Sequence, residues 1–108
     1  MMSTVKPFFF PKQEDLTLTG VLYALSDPTR LRVAALLAET GDQCCSQGVL
    51  ALVPKSTLAH HFKVLRDNGI VTTRTEGTYS INSLRRADLD SRFPGLLDAV
   101  LNAARACG

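Results

Sequence analysis

Residues 55–66 gather the side chains of this chain best suited to a polyanion: Lys55, Ser56, Thr57, His60, His61, Lys63 and Arg66. Short hydroxyls and imidazoles can reach base edges or phosphates, and the cations neutralise phosphate charge. A second group follows at Arg74, Thr75, Glu76, Gly77 and Thr78, where a glycine sits inside a β-branched stretch. A third group is the vicinal pair Cys44-Cys45, with Cys107 near the C-terminus. Vicinal thiolates suit soft ions such as As(III). They also suit oxidation to a disulfide or persulfide. Free cysteines are often simply small buried hydrophobes. All three readings of the thiols stand at this point.

The charge distribution favours the polyanion reading. The whole chain of 108 residues carries only +2. Residues 55–86, however, hold Lys55, Lys63, Arg66, Arg74, Arg85 and Arg86 against Asp67 and Glu76, giving +4, and the remainder is −2. Positive charge concentrated in one region is the electrostatic footprint of a nucleic-acid surface. The alternative is a solvated charged face.

Composition bounds the rest. Hydrophobic residues make up 45% and charged residues 20%, which is ordinary for a globular domain. A domain this short often gains stability by dimerising. The 3 cysteines are an odd count, which argues against a secreted disulfide scaffold. No apolar run reaches membrane-spanning length, and Phe8-Phe9-Phe10 between Pro7 and Pro11 is too short for a signal core. The sequence therefore reads as cytoplasmic, without a membrane partner.

The elements that must position these groups follow from period and punctuation. Residues 1–12 read as an extended arm, and residues 13–108 as one domain. Leu18, Val21, Leu22 and Leu25 fall at helical spacing from about Gln13. Asp27-Pro28 is an N-cap followed by proline at the first helical position. The helix it opens reaches about Glu39, with Leu31, Ala34, Ala35 and Ala38 inward and Arg30 and Arg32 outward. Residues 48–52 suit a short helix, and Val53-Pro54 makes a break. A helix from Lys55 to about Asn68 buries Leu58, Phe62 and Leu65, and Asn68-Gly69 ends it. Ile70–Thr75 and Thr78–Ile81, joined at Glu76-Gly77, read as a β-hairpin. Phe93, Leu96, Leu97, Val100, Leu101 and Ala104 form a wide apolar stripe on a C-terminal helix.

Short helix, break, four-turn helix and hairpin make a winged helix-turn-helix: mainly α with a small β wing. A helix fits the major groove, where base pairs present distinguishable patterns. The preceding helix braces it against the body. Lys63 and Arg66 suit phosphates, and Arg74 with the Thr75–Thr78 tip would reach an adjacent groove or backbone. His60-His61 makes a poor metal pair, because neighbours on a helix diverge by about 100°. One competing reading is a winged helix for protein contacts or non-specific nucleic-acid binding, with structural cysteines. Another is a thiol enzyme, which would need a base such as His60 beside Cys44 or Cys45. The DNA reading already explains that histidine, so the expectation is no enzyme.

Two stretches resemble the ArsR/SmtB family of winged-helix repressors. One is Ala24-Leu25-Ser26-Asp27-Pro28-Thr29-Arg30-Leu31-Arg32. The other runs from Ser56 through His60-His61-Phe62-Lys63 to Asn68-Gly69-Ile70-Val71. The resemblance implies a symmetric dimer on an inverted-repeat operator in double-stranded DNA, released by an inducer. It implies dimerisation through the first and last helices. Leu18, Val21 and Leu22 would then meet Phe93, Leu96, Leu97, Val100, Leu101 and Ala104 across the two-fold. Many such proteins sense metals. One ligand set places Asp and His on the last helix, where this chain offers Asp98, Asn102 and Arg105 but no His, so that site is disfavoured. Another uses Cys-x-Cys near the third helix. Here Cys44-Cys45 stands near that place without the intervening residue, and Cys107 could reach it in a dimer.

Overall fold

The structure is a computed structural model that describes residues 10–41, 43–44 and 53–107, with backbone alone for Gln43, Cys44 and Cys107. The helices are α1 (Leu18–Leu25), α2 (Pro28–Thr40), α3 (Lys55–Asp67), α4 (Arg86–Arg92) and α5 (Leu96–Cys107). Strands β1 (Gln43–Cys44), β2 (Val71–Glu76) and β3 (Tyr79–Leu84) form one antiparallel sheet in the order β1-β3-β2. The short helix expected at 48–52 and most of the N-terminal arm lie outside the described residues.

Local signals account for the element ends. Asp27 Oδ2 accepts from the backbone N–H groups of Thr29 and Arg30 at 2.9 and 3.1 Å, capping α2 with Pro28 at its start. At the end of α3, Ile70 N–H donates to Leu65 O at 2.9 Å and Gly69 N–H to Arg66 O at 3.1 Å. That paired closure needs a left-handed residue, and Gly69 has φ +80°. In the hairpin only Gly77-Thr78 separates the paired residues Glu76 and Tyr79. Gly77 has φ +62°, which matches a two-residue turn to the strand twist.

Several expectations are corrected. The first helix does not run from Gln13. Residues Gln13–Asp15 form a 3-10 turn, and α1 starts after Thr17, whose hydroxyl accepts from Gly20 N–H. Leu16 between them is extended and buried. The C-terminal helix does not include Phe93. Pro94 pushes Phe93 out of helical geometry (φ −133°, ψ 76°) and splits the segment into α4 and α5. Strand β1 was not expected; it pairs with β3 through Gln43↔Asn82 and Cys44↔Ile81.

Helices α2 and α3 pack against β3 and β2, and α1 and α5 pack on α2. The buried members of the core include Leu16, Val21, Ala24, Leu25, Val33, Ala34, Leu37, Leu58, Phe62, Leu65, Ile70, Val71, Leu89, Leu97 and Leu101. On α2 the fully buried face is Val33, Ala34 and Leu37, while Leu31, Ala35 and Ala38 are only half-buried. Arg30, expected outward, is buried at 6% exposure. It stands three, four and seven residues before Val33, Ala34 and Leu37, so helical period puts it on the core face. Among the described residues, no helix is long and apolar enough to cross a membrane.

Candidate nucleic-acid interface

Helix α3 presents one apolar and one polar face. Leu58, Phe62, Val64 and Leu65 are buried, as the sequence stripe required for Leu58, Phe62 and Leu65. Lys55, Ser56, Thr57, His60 and Lys63 are exposed. Pro54 precedes the helix, and no side chain caps its first turn. Those N–H groups suit a phosphate, reinforced by the positive end of the helix dipole.

His61 and Arg66 differ from their neighbours. The His61 side chain is 12% exposed and turned toward α2, with Nδ1 3.3 Å from Arg30 Nη1 and 3.9 Å from Asp27 Oδ2. Arg66 is half-buried, and that burial lowers its pKa against the opposing charge of Asp67. The rings of His60 and His61 lie 5.8 Å apart, but only His60 faces solvent.

The hairpin carries Arg74, Thr75, Glu76, Gly77 and Thr78, all exposed. Arg74 Nε donates to Glu76 Oε2 at 2.8 Å, and its Nη1 donates to Ser83 Oγ at 3.2 Å. Lys63 Nζ likewise donates to Asp67 Oδ2 at 2.7 Å. Both cations thus hold carboxylates of their own element. Below the tip the hairpin is pinned by a buried pair: Thr73 Oγ1 donates to Asn82 Oδ1 at 2.7 Å.

Two members of the basic segment serve the body instead. Arg85 binds Asp88 and the carbonyl of Pro11, tying the N-terminal segment to α4. Arg86 donates to Asp98 at 2.9 Å and contacts Asp90 at 3.5 Å. The Asp98 hydrogen bond, against some desolvation, raises the Arg86 pKa. The net +4 of residues 55–86 therefore overstates the charge free to meet a polyanion.

The residues expected at a dimer interface divide into two sets. Val21, Leu97 and Leu101 are each 2% exposed within a single chain, so they belong to the monomer core. Leu18 and Leu22 are 47% and 45% exposed, one turn apart on α1, and Tyr23 beside them is 57% exposed. Phe93, Leu96, Val100 and Ala104 are half-buried. The side chains of Cys44, Cys45 and Cys107 lie outside the described residues; the Cys44 backbone belongs to β1 and that of Cys107 ends α5.

Sequence reasoning missed Arg30, which joins three helices. Its Nε donates to Ala24 O at 2.7 Å, its Nη2 to Tyr23 O at 3.4 Å, and its Nη1 points at His61. The helical spacing of Arg30 from the α2 core residues was the available signal.

Comparison with known proteins places this arrangement. A helix-turn-helix domain model matches residues 25–74. An uncharacterised helix-turn-helix-type transcriptional regulator of Bacillus subtilis strain 168 is 31% identical over 96 residues, covering 86% of this chain and 96% of that protein. An arsenical resistance operon repressor of Staphylococcus aureus is 39% identical over 80 residues, covering 73% and 76%. A crystal structure described as a possible transcriptional regulator for arsenical resistance superposes with a TM-score of 0.60 at 27% identity, over 85% of this chain and 98% of that one. With its helix-turn-helix and hairpin, and with relatives matched over most of their length, the chain belongs to the ArsR family of DNA-binding helix-turn-helix transcriptional regulators.

Proposed function

We propose that this regulator is a homodimeric repressor that binds an inverted-repeat operator and is released by an inducer acting on its thiols. The observation that carries the DNA mode is the face of α3. Lys55, Ser56, Thr57, His60 and Lys63 are exposed at an uncapped helix start, opposite a fully buried apolar stripe. Such a helix lies in the major groove with its N-terminal residues at base edges. Arg74 and the Gly77 tip then meet the flanking backbone. A two-fold dimer would set two half-sites about one helical turn apart.

The exposed α1 face supports dimerisation. Leu18, Leu22 and Tyr23 expose apolar area on one short helix, where a monomer gains nothing from it. The half-buried Leu96, Val100 and Ala104 of α5 would add to it.

For the inducer, the donor chemistry of three thiols fits a thiophilic ion such as As(III), and the arsenical-resistance names of the relatives favour it over oxidation. Cys44 and Cys45 would be the first ligands, with Cys107 from the end of α5. Register supplies a route to the DNA face. Cys44 pairs with Ile81 of β3, and Ile81 pairs with Arg74 of β2. A pull on β1 would reach the wing arginine across two backbone ladders.

The test is fluorescence anisotropy of the reduced protein on DNA from its own promoter, with unrelated duplex as competitor. Arsenite is titrated against the parent and the Cys44→Ser/Cys45→Ser double variant. Operator retained under competitor, and released by arsenite in the parent alone, is the expected result. Equal loss to unrelated duplex would make the chain a non-specific binder. Release by a persulfide donor but not by arsenite would make the thiols redox sensors.

A further inference from the structure

We propose that Arg30, acting through His61, is the positioning residue of the recognition helix, setting the rotation at which α3 offers its exposed face to DNA. This rests on the reading of α3 as the DNA-contacting helix. It takes His61 out of the set of direct contacts and gives it a different role.

The geometry is that of a strut. Arg30 Nε and Nη2 donate to Ala24 O and Tyr23 O, in the last turn of α1. The final turn of α1 has no basic residue of its own, and Arg30 adds donors to its C-terminal carbonyls; Tyr23 O also accepts from Ser26 N–H and Oγ. The guanidinium also lies over the Tyr23 ring, 5.3 Å from its centroid. Its third arm, Nη1, reaches His61 Nδ1 on α3 at 3.3 Å. Arginine only donates, so Nδ1 accepts and the imidazole proton sits on Nε2. Asp27 closes the group: its Oδ2 caps the N–H of Arg30 and stands 3.9 Å from the same Nδ1. One buried side chain therefore fixes α1, α2 and α3 to each other.

Stability alone does not account for a charge here. An apolar side chain of similar volume commonly does as well or better at a buried site. What the guanidinium adds is direction. The rest of the α3 anchorage is Leu58, Phe62, Val64 and Leu65, and apolar contact is non-directional. A planar fork that meets two carbonyls and one imidazole nitrogen accepts only one rotation of α3 about its axis. His60 immediately precedes His61 and points about 100° away from it around the helix, so the rotation that seats His61 on Arg30 also aims His60 outward. Lysine cannot replace the fork, because a single ammonium cannot span partners on two helices in a fixed plane.

The experiment uses the full chain with Arg30→Met, His61→Phe, His61→Gln and the Arg30→Met/His61→Phe double variant. Affinities are measured for operator and for unrelated duplex, and melting confirms the fold. Arg30→Met and His61→Phe should each lower operator affinity by roughly tenfold, the size of one lost base contact, with affinity for unrelated duplex unchanged. The double variant should lose no more than either single one. His61→Gln, which keeps an acceptor, should retain discrimination. A loss in His61→Phe without one in Arg30→Met, or additive losses, would make His61 a direct contact and overturn the proposal. If Arg30→Met does not fold, the Phe and Gln variants of His61 still decide it: equal behaviour of the two overturns it. Residual dipolar couplings on the free protein report the orientation of α3 against α1 without DNA. Reorientation in the His61→Phe variant, in a parent that never discriminates operator, would keep the strut and sink the DNA reading. An unchanged orientation sinks the strut whatever DNA does.

Discussion

A methyl group on Gly20 would fall 2.7 Å from Asn68 Oδ1 and 2.8 Å from Thr17 Oγ1, so α1 meets the C-cap of the recognition helix where no side chain fits. Both oxygens belong to groups in use. Thr17 accepts from Gly20 N–H, and the Asn68 amide donates to Val64 O at 2.9 Å. Gly20→Ala would gain up to about 1 kcal/mol of helix propensity. It would disrupt the Thr17 cap and the Asn68 bond, each worth about 1 kcal/mol. Urea unfolding should show a net loss of roughly 1 kcal/mol by that balance. A stabilised variant would mean that the two elements stand further apart.

The division of the apolar face on α1 and α5 makes two glutamate substitutions behave differently. Leu22 is 45% exposed and Leu97 is 2% exposed. Leu22→Glu should leave the helical circular dichroism intact and give a monomer by light scattering. Leu97→Glu should unfold the chain, because a buried carboxylate without a partner costs several kcal/mol, on the order of the whole stability. A Leu22→Glu protein that remains dimeric would remove the α1 face from the interface.

Two ion pairs hold exposed cations of α3 and the hairpin: Lys63–Asp67 and Arg74–Glu76, at 2.7 and 2.8 Å. Exposed pairs of this kind add little to stability, but each carboxylate would stand near a phosphate. Asp67→Asn and Glu76→Gln should tighten binding to every duplex by a factor of roughly two to ten at low salt, with no gain in discrimination. Arg74→Ala should weaken all duplexes and reduce the salt slope by about 1. An unaltered slope in Arg74→Ala would take the wing off the phosphate backbone.

Asp27 links stability to acid pH. Desolvation raises its pKa, but the N–H bonds from Arg30 and Thr29 and the positive charge beside it outweigh that and hold it below the ordinary 3.8. A carboxyl depressed on folding binds fewer protons in the native state. Its contribution is present above pH 3.8 and disappears as pH falls through the lowered native value. Asp27→Ala should cost about 1 kcal/mol near neutrality through loss of the cap. The gap to the parent should close in the acid limb of a pH series of urea midpoints. A gap independent of pH would mean that the carboxylate charge plays no part.

The sequence by itself determined the features that local chemistry controls. The Leu58, Phe62 and Leu65 stripe, the Asp27-Pro28 start, the Asn68-Gly69 stop and the Glu76-Gly77 turn depend on residues a few positions apart, and period and capping read them directly. Tertiary structure alone decided which apolar and charged groups spend themselves inside the monomer. Val21, Leu97 and Leu101 look no different in sequence from Leu18 and Leu22, because a helical stripe does not say which edge meets its own core. Arg85 and Arg86 counted as free charge until Asp88, Pro11, Asp98 and Asp90 were brought to them. His61 stood beside His60 as a candidate contact until Arg30, 31 residues earlier, met its ring. Strand β1 pairs with β3, far along the chain. Each of these depends on contacts between distant residues, whose partners no local pattern names.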